Sequence, residues 1–174
     1  MPKSSGSAYT NTPAAGSAPP GYTPARRTPT DSSYYDMDGI PWKEGDPNSQ
    51  AWIYAREVRA QQAKAPLQRT ARAKYPSPFK NAEPLPLTTP GKPDPTGNKP
   101  TEWLHHPMIP GKTTTYRASA KSKAKPGGIR TFYTEGDNSK YDVGFHDPRV
   151  WTPSKSAGFS LATYVPAAPP KPKT

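Results

Sequence analysis

The side chains of this 174-residue sequence that are best suited to proton transfer or metal binding are its three histidines, His105, His106 and His146. Two adjacent histidines ahead of a proline are able to bind zinc, but the chain has no cysteine and its carboxylates are scattered along the sequence. We therefore expect solvated or hydrogen-bonded imidazoles at these positions. The sequence predicts no metal site and no cofactor.

Two short strings resemble ligand-binding loops without matching them. Gly111-Lys112-Thr113 resembles the end of a phosphate-binding loop, but the required upstream glycine is replaced by His106, and Pro107 and Pro110 exclude the strand-loop-helix setting. The acidic string 36–39 lacks the later ligands of a calcium loop and indicates a turn. Because catalysis requires groups held to within about half an ångström and no scaffold is evident, we predict that the chain is not an enzyme.

The composition is the reason for expecting no scaffold. The chain has 26 Pro and 13 Gly, whereas Leu, Ile, Val and Phe together number only 17. Ordering a residue costs about 1–2 kcal/mol of backbone entropy, and so few aliphatic residues offer little burial to offset that cost. The sequence therefore predicts a mostly irregular, extended coil with one main α-helix and no independent globular fold, ordered by a partner.

The predicted helix spans 47–64. Asp46 is suited to cap it, Pro47 fits its first position, and Pro66 ends it. The rest of the chain divides by composition into a low-complexity tail, an acidic aromatic turn segment, a Pro-rich basic arm, an aromatic hook segment and a Pro/Lys tail, at 1–30, 31–46, 65–130, 131–165 and 166–174 respectively. Short extended pieces are expected around 130–134 and 159–165.

Aromatic and basic side chains spaced along the chain indicate contacts with a partner, because aromatic residues and arginine are favoured interface anchors. The predicted anchors are Trp42, Trp52, Tyr54, Trp103, Phe132, Tyr133, Phe145, Trp151 and Phe159. The predicted contacts to an acidic surface are Arg56, Arg59, Arg69, Arg72, Lys74, Arg117, Lys121, Lys123, Lys125 and Arg130.

The net charge of +11 predicts an acidic partner. In composition the whole chain resembles the inner proteins of ciliary and flagellar doublet microtubules, and KSKAKPGG at 121–128 resembles the basic segments of tau-like proteins. This resemblance implies a structural protein of the cytoplasmic cytoskeleton, in the axoneme of a cilium or flagellum. It would stabilise doublet microtubules by threading between tubulin protofilaments, with tubulin and neighbouring axonemal proteins as partners.

Two alternatives remain open. A ribosome-associated RNA-binding protein would use the same cations to neutralise phosphates and the same aromatic rings to stack on bases, although the acidic stretches 31–46 and 131–148 dilute that charge. A disordered adaptor would use the proline-rich tail from 166. No run of 18 apolar residues is present, so no membrane partner is predicted and an intracellular location is expected.

Overall fold

The computed structural model describes residues 32–38, 40, 51–82, 84–99, 101–117, 126–151 and 157–166. These residues form two antiparallel β-sheets, of five and three strands, and one short helix. The predicted irregular coil with one main helix, ordered only by a partner, is therefore wrong.

The larger sheet has the strand order β3-β4-β5-β6-β7, so strands adjacent in the chain are also adjacent in the sheet. The strands are β3 (Ser77–Phe79), β4 (Trp103–Pro107), β5 (Ile129–Thr134), β6 (Asp137–Trp151) and β7 (Ala157–Leu161). Strands are thus present at both places where short extended pieces were expected. Side chains alternate between two faces along each strand, and these faces have different roles.

The smaller sheet has the order β2-β1-β8 and brings distant segments of the chain together. It consists of β1 (Tyr34–Asp36), β2 (Trp52–Tyr54) and β8 (Thr163–Val165), with Tyr35 opposite Ile53 on one side and Tyr164 on the other. The helix α1 (Ala55–Gln62) follows β2 directly. Its Val58 joins the core cluster that contains Ile129, Val143 and Phe145 of the larger sheet. We call the face of the larger sheet that carries these three residues the helix face.

The predicted helix over 47–64 is wrong in its extent. The residues 41–50, including Asp46 and Pro47, lie outside the described residues, and Trp52, Ile53 and Tyr54 form a strand. Aromatic and β-branched residues favour extended backbone, and pairing with β1 buries all three side chains. The apolar residues at 51, 54, 55 and 58 also lie at helical spacing, so this pattern is compatible with a helix as well as with the strand that is observed.

The core explains why a count of aliphatic residues was misleading. Fully buried positions are filled by tyrosine, phenylalanine and methionine, such as Tyr133, Phe132, Phe145, Met37 and Met108. Aromatic side chains bury about 150–250 Å² each, so a few of them replace many aliphatic ones. Several of the predicted partner anchors, including Phe132, Tyr133 and Phe145, are among these buried side chains.

Buried polar side chains attach α1 to the larger sheet and its loops. Gln61 donates to the carbonyl oxygens of Ile109 and Lys112, at 2.9 and 3.0 Å, and accepts from the backbone N–H of Ile109 at 2.9 Å. The hydroxyl of Thr131 donates to Gln62 at 2.6 Å. Because buried polar groups are costly unless they are hydrogen-bonded, these bonds fix the position of the helix on the sheet.

The prolines of the predicted basic arm, 65–130, lie where the sheet tolerates them. Pro78 lies in β3, which is an edge strand, and Pro107 lies at the end of β4, beyond the last residue that β3 pairs, His105. A proline has no N–H to donate, so edge strands and strand ends accept it. The arm thus contributes β3, β4 and the first residues of β5.

Candidate active site on the face opposite the helix

The side of the larger sheet that faces away from α1 carries a group of polar and aromatic residues, which we call the histidine face. Strand alternation and register place together on it Ser77, Phe79, His105, Arg130, Phe132, Gly144, His146 and Phe159. His105 lies opposite Phe132, Arg130 opposite Gly144, and His146 opposite Phe159. All five strands of the sheet, β3 to β7, therefore contribute to one surface.

Phe132 forms the aromatic floor of this face. Its ring is fully buried, 4.5 Å from the ring of Phe79 and 5.4 Å from that of Phe159. The imidazole of His105 is stacked at 6.3 Å and 15°. Gly144 provides the necessary space, because a Cβ at that position would be 2.8 Å from the Phe132 ring and 2.7 Å from the carbonyl oxygen of Ser160.

His105 is held in its neutral form. Burial, followed by the nearby charges of Arg130 and His146, lowers the pKa of His105 from 6.5 to about 3. Its Nδ1 atom is buried and has no hydrogen-bond partner among the described residues. A neutral imidazole carries one nitrogen that accepts a proton, so His105 is in the protonation state of a general base. Its lowered pKa makes it a weak base, and a bound anion would strengthen it by raising that pKa.

Arg130 is a buried cation with no carboxylate partner in the described part of the chain. Its side chain is 3% exposed. Its Nη1 donates to the carbonyl oxygens of Gly127 and Ile129 at 2.7 and 2.9 Å, whereas its buried Nε has no partner among the described residues. Burial lowers the pKa of Arg130, but a guanidinium stays charged at neutral pH. An uncompensated buried charge is unfavourable, and an anion binding here would relieve it.

Tyr75 connects the arginine to the histidine. Its hydroxyl accepts a hydrogen bond from Nη2 of Arg130 at 3.3 Å, and its ring is 5.3 Å from the centre of the guanidinium. The same ring lies 5.7 Å from the His105 ring, edge-on. Tyr75 therefore contacts both the guanidinium and the imidazole.

His146 contributes a second imidazole. Its ring centroid is 4.1 Å from that of Phe159, and the side chain is partly exposed. Phe159 is also 5.8 Å from His105, so a single aromatic ring separates and orients the two imidazoles. Two imidazoles, a guanidinium and a phenol around an aromatic floor are suited to bind an anion and to move protons on either side of it.

Of the residues selected from the sequence, this site unites Arg130, Phe132 and Phe159. Tyr133 and Phe145 lie on the helix face in the core, and Trp52 and Tyr54 are buried in a separate cluster at the smaller sheet. Three predicted anchors remain. Trp103 is half-buried and donates to the carbonyl oxygen of Thr89. Trp42 lies outside the described residues, and only the backbone of Trp151 is described.

The predicted basic contacts are also distributed over several places. Arg56 is half-buried, with its guanidinium 4.6 Å from the Tyr54 ring, whereas five others are exposed: Arg59, Arg69, Arg72, Lys74 and Arg117. Lys121, Lys123 and Lys125 lie outside the described residues.

Sequence reasoning did not select His105, His146 and Tyr75 as functional residues. A signal for one of them, His146, was present in the alternation of residue types. Arg130 and Phe132 are two residues apart, as are Gly144 and His146, which is the spacing of side chains on one face of a strand. That signal becomes informative only after strands are assigned to 129–134 and 137–151.

No family model, curated protein or solved structure matches the chain. In the described ranges, no helix has the length and apolar character needed to cross a membrane. Nor do these ranges contain a group of three or more histidine, aspartate or glutamate side chains placed to hold a metal ion.

Proposed function

We propose that the histidine face binds a phosphodiester of single-stranded RNA and cleaves it by general acid–base catalysis. The observation that supports this most directly is Arg130, a buried cation without a carboxylate partner in the described chain, held beside a neutral histidine. Guanidinium groups suit phosphate oxygens, to which they donate two parallel hydrogen bonds. The Nε of Arg130 is buried and has no partner among the described residues, whereas Nη1 is already bonded, so Nε is the donor left for such a ligand.

The proposed reaction requires only groups of this chain and of the RNA. His105 takes the proton from the ribose 2′-hydroxyl, whose oxygen attacks the phosphorus atom and forms a new P–O2′ bond. The P–O5′ bond breaks, and His146 in its protonated form gives a proton to the departing O5′. The products are a 2′,3′-cyclic phosphate and a 5′-hydroxyl. Arg130 and Tyr75 stabilise the extra negative charge that develops on the phosphoryl oxygens.

The electrostatics favour this division of roles. His105 is neutral in the free protein because burial and Arg130 disfavour its charged form. A bound phosphate brings negative charge next to the imidazole, which raises its pKa and makes it a stronger base. His146 is partly exposed, so it exchanges protons with water between turnovers.

This proposal changes two expectations from the sequence. The expectation of no catalysis depended on the lack of a rigid scaffold, and a five-stranded sheet supplies one. The tubulin hypothesis depended on an extended chain that borrows its shape from a lattice, so its premise no longer holds. Binding to microtubules stays a prediction, tested by a pelleting assay. The RNA-binding alternative is the one to which the site lends support.

The test compares a 12-nucleotide RNA with DNA of the same sequence. We expect cleavage of RNA only, because DNA lacks the attacking hydroxyl. His105→Asn, His146→Asn and Arg130→Gln should each lower kcat/KM at least about 100-fold, the usual effect of removing an acid, a base or a charge-stabilising donor.

The matched control is His106→Asn. His106 is the next residue of β4 but points to the helix face, where its Nε2 lies 3.1 Å from the hydroxyl of Thr115. Melting temperatures of all four variants separate loss of chemistry from loss of folding. Equal loss of activity in folded His105→Asn and His106→Asn, or cleavage of DNA, would contradict the proposed mechanism.

A further inference from the structure

We propose that the edge of the sheet at β3 binds the RNA strand on both sides of the cleaved phosphate, so that the substrates are extended chains rather than dinucleotides. This inference rests on the proposed function and concerns exposed cations that take no part in the chemistry described above. We call this surface the basic edge and define it by Arg69, Lys74, Lys80, Lys99 and Arg117.

One end of the basic edge adjoins the arginine of the site. The ammonium of Lys74 lies 5.7 Å from the centre of the Tyr75 ring, the same ring that contacts Arg130. Tyr116 packs edge-on against Tyr75 at 5.9 Å, which places the following residue, Arg117, at this end as well. Lys74 and Arg117 are both exposed.

The other end begins where β3 ends. Lys80 follows Phe79 directly and lines a groove of about 390 Å³ together with Arg69 and Lys99. The carboxylates that also line this groove are already engaged. Glu135 pairs with Lys92 at 2.7 Å, Asp94 accepts from the hydroxyl of Thr96 at 2.6 Å, and Glu102 lies 3.9 Å from Arg69.

The positive charge of most cations of the basic edge is therefore not neutralised by a neighbouring carboxylate. In the described ranges, no carboxylate lies within 4.0 Å of the charged atoms of Lys74, Lys80, Lys99 or Arg117. Exposed cations without counter-charges attract polyanions and release condensed counterions when they bind.

The spacing of these charges fits a nucleic acid strand. Lys74 and Lys80 lie on either side of β3, whose three residues, Ser77–Phe79, extend over about 10 Å, which is longer than one phosphodiester. Between them, the rings of Tyr75 and Phe79 are partly exposed. Cations interleaved with aromatic rings suit the alternation of phosphates and bases in a single strand, whereas an acidic protein or an anionic bilayer has no bases to stack.

The experiment separates strand binding from cleavage. Binding is measured by fluorescence anisotropy with a 12-nucleotide 2′-O-methyl RNA, which the proposed reaction does not cleave because its 2′-oxygens are blocked. Cleavage is measured with a ribodinucleotide. The variant Lys74→Gln/Arg117→Gln is compared with the control Lys64→Gln/Lys140→Gln, which removes the same charge from exposed residues outside the basic edge.

We expect the first variant to bind the 12-mer at least about tenfold more weakly. Its slope of log K against log salt should be smaller by about 1.4, since each phosphate contact on a single strand contributes about 0.7. Its kcat/KM for the dinucleotide should stay within about threefold of the parent protein, and the control should match the parent in both assays.

Equal binding by the two double variants would overturn the inference. A second result would also overturn the inference. If no variant binds the 12-mer and the first variant loses binding to phosphatidylserine vesicles, the basic edge binds a membrane instead. If no variant cleaves the dinucleotide while the 12-mer still binds through Lys74 and Arg117, the proposed catalysis fails and the basic edge stands as an RNA-binding surface.

Discussion

His105 and His106 are neighbours in the sequence but face opposite sides of the sheet, and this alternation gives them different environments. His105 joins Arg130 and Tyr75 on the histidine face, whereas His106 lies near Thr115 and Tyr116. Burial is the main cause of a lowered pKa in both cases, to about 3 for His105 and about 4 for His106. Both imidazoles are therefore neutral in the folded protein at neutral pH.

This neutrality predicts that the protein loses stability in mild acid. The folded-state pKa values lie below the unfolded value of about 6.5, so as the pH falls below about 6.5 the unfolded chain binds protons first. The stability contributed by each neutral histidine is fully present above pH 6.5. It is lost as the pH falls to the folded-state pKa, which is about 4 for His106 and about 3 for His105. Each histidine contributes a slope of about 1.4 kcal/mol per pH unit.

Urea unfolding at pH 7.5 and at pH 5.0 measures this effect. The free energy of unfolding should be lower at pH 5.0, and His105→Gln should reduce the difference because it removes one of the two groups. A difference that stays the same in this variant would show that His105 is not buried in neutral form.

At the scale of single residues, the sequence identified part of the site. Arg130, Phe132 and Phe159 were selected because arginine and aromatic residues are favoured at interfaces, and they do lie together. His105 and His146 were not selected, because an isolated histidine carries no information about its neighbours. Their contact with one aromatic ring, Phe159, arises from the pairing of β6 with β7 and from tertiary packing.

The long connection between β3 and β4 is the element whose position depends most on one side chain. Asp142 of β6 accepts hydrogen bonds from the backbone N–H and hydroxyl of Thr88, at 3.0 and 2.7 Å, and from those of Thr89, at 3.1 and 2.9 Å. Trp103 donates to the carbonyl oxygen of Thr89 at 2.9 Å and packs against Gly91. A single carboxylate therefore fixes a loop that is more than 50 residues away in the sequence.

Asp142→Ala is predicted to release this loop without unfolding the sheet. Charge-assisted hydrogen bonds contribute about 1.5–3 kcal/mol each to stability when buried, and less when exposed as these partly are. Hydrogen exchange should become faster at Thr88, Thr89 and Trp103 and remain slow in β5. Ser139→Ala, in the same strand but bonded only to nearby Asp137, is the control. Unchanged exchange at Thr88 would contradict the role given to Asp142.

The elements themselves were only partly predictable. The stretch 52–54 was assigned to a helix because the apolar residues at 51, 54, 55 and 58 lie at helical spacing. Only the pairing of 52–54 with β1 shows that this stretch is a strand. Likewise, prolines such as Pro78 and Pro107 argue against central strands, but a sequence does not show which strand will lie at an edge or where its pairing ends. Strand order is a property of long-range pairing, so local propensity did not reveal it.

At the scale of the whole molecule, the two sheets and α1 share one core. Met37, Ile53, Val58, Ile129 and Phe145 come from both sheets and the helix and form a single buried cluster. Arg149 of β6 also donates to the carbonyl oxygen of Asp38 at 3.0 Å, and the hydroxyl of Thr163 donates to the Asp38 carboxylate at 2.8 Å. The bond from Arg149 crosses from the larger sheet to the segment that follows β1 of the smaller one, so the sheets are expected to unfold together.

Scanning calorimetry of the purified full chain tests this expectation. A shared core predicts one cooperative transition, and its van 't Hoff and calorimetric enthalpies should agree. Gly144→Ala should lower the melting temperature, because its Cβ would approach Phe132 and Ser160 too closely, at 2.8 and 2.7 Å, and overpacking of this kind costs about 1–3 kcal/mol. Two separate transitions, or none, would contradict a single folded unit.

The central claim is that the histidine face cleaves RNA by attack of the 2′-hydroxyl. Phosphorus NMR of a ribodinucleotide incubated with the purified protein tests it most directly, because a five-membered cyclic phosphate has a resonance distinct from that of a linear diester. We expect the 2′,3′-cyclic phosphate signal to appear with the parent protein and with His106→Asn, and to be absent with His105→Asn. A linear diester that stays intact with the parent protein would contradict the claim.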